Sequence, residues 1–339
     1  MPFAPEHLPA VGELFATTWE RPRSAAYLRW RLLAWPGHHG MVALHPEGQC
    51  LAFISAARRT YRAPDGTHLP ISETLDWIAR PELQGAGVGV RVLQKLMAQC
   101  DAPLLTVGGT EATRTLVPRM GWQTIGDAPS FVLPLGPDAL DTQWQQRKVP
   151  LPLAHLATRA ASLAWFRRPP RPRVPRDGQV VAAPAGEAPE ALYATCLATT
   201  PLPVAGRSAW LTSWSGSGTW RFTHFLRGGA LVGTTTTRVH AEGGEADIVD
   251  IFAVESGLYD WLIAEAVAQL VPSKPRLIRT RASLPALQAA LVRRRFLRGP
   301  ALPVLCFAGS GRAPEGLLHI TRASADELVL PYPSQNWPG

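Results

Sequence analysis

Gln84-Gly85-Ala86-Gly87-Val88-Gly89 lies between a run that alternates like a strand and a run that repeats like a helix. Leu75, Trp77 and Ala79 alternate with Asp76, Ile78 and Arg80 until Pro81, which has no N–H for a ladder. Val88, Val92, Leu93 and Leu96 then recur at helical spacing. Gly85, Gly87 and Gly89 therefore fall where a helix leaves its first N–H groups unpaired and where its dipole favours an anion. Removing side chains there lets a negatively charged group reach the main chain. An ordinary glycine-rich turn is the plainer reading. Two other phosphate loops do not fit: Val90 stands where G-x-G-x-x-G needs its third glycine, and no Gly-Lys-Ser/Thr ending follows.

The elements around this loop come in a definite order. Leu8, Val11, Leu14 and Phe15 mark one helix, and "SAAYLRWRLLAW" continues with a second apolar stripe. Two alternating runs turn at Pro46-Glu47-Gly48 as a hairpin. After the loop and its helix come a strand from Leu104 to Val107, a helix over about Glu111 to Met120, and Gly121-Trp122 opening another strand. Loop and order together resemble the GNAT acetyltransferase superfamily, whose acyl-CoA pyrophosphate loop reads Q/R-x-x-G-x-G/A. The resemblance covers about residues 1–135.

The resemblance implies an α/β (α+β) chain in which a mixed, mostly antiparallel sheet is flanked by helices. It implies acetyl-CoA as acyl donor, its pyrophosphate held by Gln84, Gly85, Ala86, Gly87, Val88 and Gly89 and its pantetheine arm paired with the main chain of Trp77, Ile78 and Ala79. It implies a primary amine as acceptor. Glu73, six residues before Ala79, stands where a protein-acetylating branch of the family carries its base, and Asp76 is the rival; either carboxylate also fits a solvated strand position. Three departures stand out. Val117 occupies the place of the tyrosine that protonates the departing thiolate, Thr110 replaces the usual asparagine, and only Met1 to Phe3 are available for the opening strand. The thiolate is then protonated by water, by Tyr61, or not at all.

At 339 residues the chain exceeds one such domain, and the pattern returns. "GTWRFTHFLRGGALVGTTTTRV" is a hairpin turned at Arg227-Gly228-Gly229, "EADIVDIFAV" a strand, "LYDWLIAEAVAQL" a helix, and "RLIRT", "LPALQAALVRRRF" and "PVLCF" complete the set. Asp76 with Asp250 and Trp122 with Phe296 are both 174 positions apart, which favours duplication over two unrelated α/β domains. At that offset Gln84, Gly87 and Gly89 map to Leu258, Trp261 and Ile263, which places bulk where a phosphate would sit. The expected organisation is a GNAT acyl-CoA-binding domain at 1–136, a basic proline-rich linker at 137–177, a degenerate GNAT-like domain at 178–310 and a tail at 311–339.

The net charge of +8 is concentrated: residues 147–177 hold eight Lys/Arg and one acid. A diffuse nucleic-acid surface is not indicated; a solvated, semi-rigid connector is, with weak membrane-surface contact through 147–177 as the sharper reading. Cys50, Cys100, Cys196 and Cys306 form no C-x-x-C, and no signal peptide precedes Met1, which points to a reduced cytoplasm. No histidine spacing implies a metal, and no G-x-S-x-G supports hydrolase chemistry.

Two functions of different class follow: an acyl-CoA-dependent N-acetyltransferase with one active half, or an acyl-CoA-binding regulatory or scaffold protein with little or no catalysis. A tandem enzyme of the mycothiol-synthase kind is a third, although that kind keeps its active site in the second half. Arg29, Trp30 and Arg31 fit either an acceptor pocket or a helix surface.

Overall fold

In the computed structural model, residues 1–19, 24–34, 37–63, 65–135, 174–183, 219–240, 244–309 and 318–322 are described, together with positions 139, 152–153, 156, 160, 202, 204–205, 314, 316 and 324. Most of the basic connector, Cys196 and most of the C-terminal tail lie outside these residues. The chain forms two compact units. One comprises Met1–Tyr61, His68–Gly126 and Pro303–Gly316; the other comprises Arg62–Thr67, Asp127–Leu302 and Leu317–Gly339.

The first unit opens with α1 (Leu8–Trp19) and α2 (Ala25–Leu33). Ser24 starts α2 by accepting the N–H of Tyr27, the usual way a hydroxyl satisfies an orphan helix donor. β1 (His38–Leu44) and β2 (Cys50–Arg62) form the expected hairpin, closed by His45 N–H to Gln49 O at 2.8 Å. Then follow β3 (His68–Ala79), α3 (Val88–Gln99), β4 (Leu104–Val107), α4 (Glu111–Arg119) and β5 (Gln123–Pro134). The three residues left for an opening strand do pair: Pro2 bridges Met41, and Phe3 N–H donates to Gly40 O at 2.8 Å.

Strands β1-β2-β3-β4 are neighbours in that order, and β4 pairs antiparallel on its other side with residues 304–307 of the chain's last strand. α3 buries Val92, Leu93 and Leu96 against Met41, Ala52, Ile54 and Ala56, with Val117, Trp122 and Leu305 in the same cluster. Each such side chain removed from water contributes about 1.5–3 kcal/mol, so the apolar stripe of α3 is what seats its N-terminus at the end of β3.

The second unit contains β6 (Gly178–Ala183), β7 (Val204–Ala205), β8 (Thr219–Arg227), β9 (Ala230–Val239), β10 (Glu245–Ala253), α5 (Tyr259–Leu270), β11 (Leu277–Arg281), α6 (Pro285–Arg293) and the first part of β12 (Leu297–Phe307). The β8–β9 turn has Gly228 and Gly229 at φ +57° and +80°, a left-handed pair that matches hairpin twist. The order β5-β11-β10-β9-β8-β6 holds here, with Ser130–Pro134 of β5 antiparallel to β11 and β10 parallel to β11. The fold is mixed α/β with mostly antiparallel strands flanked by helices, as expected.

The internal echo is visible in the elements themselves. β3 and β10 end 174 positions apart, at Ala79 and Ala253, and α4 and α6 begin and end at the same separation. α3 and α5, however, begin 171 apart, at Val88 and Tyr259. The second copy has a strand-to-helix loop three residues shorter. The expectation that Trp261 and Ile263 stand in the places of Gly87 and Gly89 is therefore corrected. Leu258 is the N-cap that corresponds to Gly87, and Trp261 and Ile263 are core residues inside α5.

Candidate functional site

The glycine loop forms a short turn, Pro81–Leu83, followed by Gln84 to Gly87 and then α3. Gln84 and Ala86 close it internally, donating to Pro81 O at 3.2 Å and Leu83 O at 3.1 Å. Among the described residues, the N–H groups of Gly85, Gly87, Val88, Gly89 and Val90 donate to no main-chain carbonyl. α2 and α4 are capped by Ser24 and Thr110, whereas the N-cap of α3 is Gly87, with no side chain to cap it. Gly85 and Gly87 adopt φ +88° and +78° with open space where a Cβ would stand. Glycine is needed there for backbone conformation. Gln84, Gly85 and Ala86 are exposed and Gly87, Val88 and Gly89 half-buried. The result is an unsatisfied, accessible row of donors at the positive end of a helix dipole, which suits a phosphate.

Beside this row the sheet opens. β3 and β4 pair only at Ser72 with Leu104 and Glu73 with Leu105, although β3 continues to Ala79 and β4 to Val107. At the fork, the Thr74 hydroxyl donates to Leu105 O at 3.1 Å. Two residues on, Asp76 has φ +50°, a left-handed conformation that a non-glycine residue in a strand rarely takes. The strict alternation expected for residues 75–80 is broken there: Leu75 and Asp76 are both buried. Past this point Trp77 and Ala79 are half-buried against the α3 cluster and Ile78 is buried. The Trp77 indole N–H donates to Gly89 O at 2.8 Å.

Neither carboxylate is solvated. Glu73 has no solvent exposure; its Oε1 accepts the Tyr61 hydroxyl at 2.5 Å and its Oε2 lies 3.1 Å from Arg59 Nε. Asp76 is gripped bidentately by Arg31, with Nε to Oδ2 at 2.6 Å and Nη2 to Oδ1 at 2.9 Å, and both side chains are fully buried. Arg31 is thus no helix-surface residue, and the sequence reading missed its role. A signal existed: Leu28, Arg31 and Leu32 share one helical face, and the two leucines are core. His38 beside it is held neutral, its pKa lowered to about 3 by burial first and then by the Arg31 and His39 charges.

A second pair, His39 Nε2 and Cys100 Sγ at 3.2 Å, does not make a nucleophile, because burial pushes the thiol up to about 11. Val117, at the place the resemblance gives to the acid tyrosine, is a core side chain. Among the described residues no group of three or more His, Cys, Asp or Glu could hold a metal ion, and no helix is long and apolar enough to cross a membrane.

The corresponding place in the second unit is built otherwise. β10 pairs with β11 only from Glu245 to Asp247 and has a bulge between Ile248 and Asp250 against β9, so the fork persists. The chain's own residues bridge its limbs. Ser283 N–H donates to Ile320 O at 3.0 Å, Thr321 Oγ1 donates to Asp250 Oδ1 at 2.7 Å, and His319 packs edge-on against Phe252. Leu318 to Thr321 are buried. Asp247, 174 positions after Glu73, is enclosed by Arg238, His240, Arg279 and Arg322.

Several solved structures share this architecture. A probable N-acyltransferase from Enterococcus faecalis V583 matches at TM-score 0.61 and 12% identity, over 91% of this chain and 72% of that one. A GCN5-related N-acetyltransferase from Anabaena variabilis ATCC 29413 matches at TM-score 0.57 and 12% identity, over 89% and 70%. A tandem GNAT protein from the clavulanic acid biosynthesis pathway matches at TM-score 0.54 and 16% identity, over 93% of this chain and 99% of that one. No protein-family model matches the chain, and no curated protein matches it in sequence. With a forked sheet and an uncapped glycine loop in one half and the same element order from the hairpin onward in the other, the chain has the fold of the GCN5-related N-acetyltransferases, in tandem.

Proposed function

We propose that the chain is an acyl-CoA-dependent N-acetyltransferase, moving an acetyl group from acetyl-CoA to a primary amine, with its donor site in the domain at 1–136. The observation that carries this reading is the set of uncommitted N–H groups at Gly85 and from Gly87 to Val90 at the mouth of α3, next to the fork between β3 and β4. Gln84 to Gly89 receive the pyrophosphate. Trp77, Ile78 and Ala79 offer main-chain groups to the pantetheine arm, and one N–H among them polarises the thioester carbonyl as charge develops on it.

An amine is mostly protonated at neutral pH, so a base must free its lone pair. Glu73 is assigned that role over Asp76 because one Glu73 oxygen faces the Tyr61 hydroxyl, a group that can carry a proton, whereas both Asp76 oxygens are bound by the Arg31 guanidinium. The Tyr61 hydroxyl, already hydrogen-bonded to Glu73, is assigned the return of the proton that Val117 cannot supply. The GNAT-like domain at 178–310 is read as a scaffold that binds no acyl-CoA: its loop is short, Leu258 replaces the glycine cap, and residues 318–322 bridge its fork. A cytoplasmic setting accords with thiols that form no disulfide among the described residues.

The alternative is an acyl-CoA-binding protein with little turnover, favoured by Val117 in the core and by an Arg59 already facing Glu73. Calorimetric titration with acetyl-CoA tests the site, and free-thiol release over a panel of amines separates the two readings. One-to-one binding with amine-dependent release is expected. Binding without release on any amine leaves the alternative, and no binding ends both.

A further inference from the structure

We infer that Arg31 is a positioning residue for the donor site: by holding Asp76 in a left-handed conformation, it keeps β3 turned away from β4 so that the main chain of Trp77–Ala79 stays open to an acyl donor. This rests on the donor-site reading above. Asp76 sits at φ +50° inside a strand, where a Cβ costs about 1–2 kcal/mol, so something must over-determine the conformation. The bidentate contact does so. Arg31 Nε and Nη2 reach the two carboxylate oxygens at 2.6 and 2.9 Å, with both side chains fully out of solvent. In such surroundings the planar fork of a guanidinium fixes carboxylate direction, and through it the torsions of a two-bond side chain.

The place of the clamp matters. The β3–β4 ladder stops at Glu73, Thr74 caps the fork through Leu105 O, and on the β2 side the Ser55 hydroxyl takes up Leu75 O at 3.4 Å. Asp76 is the next residue. Without the left-handed step, β3 would keep its period and could continue pairing along β4 to Val107, closing the main chain that the donor needs. Arg31 comes from α2, far from the glycine loop in sequence, and reaches the donor site through Asp76.

The test separates conformation from charge. Arg31→Gln leaves Asp76 buried without its guanidinium and is expected to raise the acetyl-CoA Kd at least tenfold. Two double variants carry the decision, since both remove the ion pair entirely. Arg31→Gln/Asp76→Gly allows positive φ freely and is expected to bind acetyl-CoA within about threefold of the parent. Arg31→Gln/Asp76→Ala has the same charge but a Cβ that resists positive φ, and is expected to stay at least tenfold weaker. Asp76→Asn, which tolerates left-handed φ and can still accept from Arg31, should bind within about threefold and covers the case of a double variant that does not fold. Equal binding by the Gly and Ala double variants, or parental binding by Arg31→Gln, overturns the clamp. A parent that binds no acetyl-CoA overturns the donor-site reading instead.

Discussion

Trp77 Nε1 lies 2.8 Å from the main-chain oxygen of Gly89, so the strand before the glycine loop is hydrogen-bonded to the first turn of the helix after it. The loop is spanned by a side chain, and its open donors are held in place by a contact that bypasses them. Trp77→Phe keeps a ring and removes the donor, a loss of about 1 kcal/mol. Calorimetry should show acetyl-CoA affinity weakened about fivefold, with the thermal midpoint lowered by about 2–4 °C. Unchanged affinity would mean the loop needs no such tie.

The glycines divide by conformation. Gly85 and Gly87 have positive φ and empty space beyond a Cβ, whereas Gly89 has ordinary φ and would place a Cβ 3.5 Å from Ala79 Cβ and Trp77 Nε1. Gly87→Ala should therefore lose about 1 kcal/mol of stability through backbone strain and weaken acetyl-CoA at least tenfold. Gly89→Ala should unfold at the parental temperature. Thermal unfolding of the two variants side by side checks the contrast, and an equal loss in both contradicts it.

Tyr61 donates to Glu73 from within the core. Tyr61→Phe deletes one hydroxyl without changing a charge. If the pair handles the proton, kcat with an accepted amine should fall about 10²-fold or more while the acetyl-CoA Kd stays within twofold. A parallel loss of both, or of neither, would assign the hydroxyl to packing alone.

His38 gives a pH signature. Burial, followed by the Arg31 and His39 charges, lowers its pKa from 6.5 to about 3. The folded chain keeps it neutral while the unfolded chain protonates it below about 6.5, so its contribution is complete above that pH. It is lost as pH falls towards 3, at about 1.4 kcal/mol per pH unit. Between pH 7 and pH 5 the parent should lose about 2 kcal/mol more than His38→Gln, read from urea unfolding at each pH. Equal losses would show that the ring does not carry this dependence.

Much of the fold was legible because it rests on local rules. The strand ending at Pro81, the helix with Val92, Leu93 and Leu96 on its buried face, and the turns at Gly48 and Gly228-Gly229 follow from periodicity and from where main chain needs glycine. The separation of 174 was legible too, since duplicated elements keep their lengths. It failed at the second loop because loop lengths are free to change where no ligand constrains them.

The sequence by itself determined the order of elements, the doubling of that order and a row of donors made by glycines, because periodicity and φ preference act between near neighbours in the chain. Only the tertiary structure decided the state of the carboxylates. Glu73 faces Tyr61 and Arg59, and Asp76, in a left-handed step, is held bidentately by an arginine 45 positions earlier. Burial and pairing depend on which segments meet across the sheet, and a buried charge must find its partner there. The same holds for Leu318–Arg322, whose place between Asp250 and Ser283 is set by long-range main-chain and side-chain contacts that no local pattern encodes.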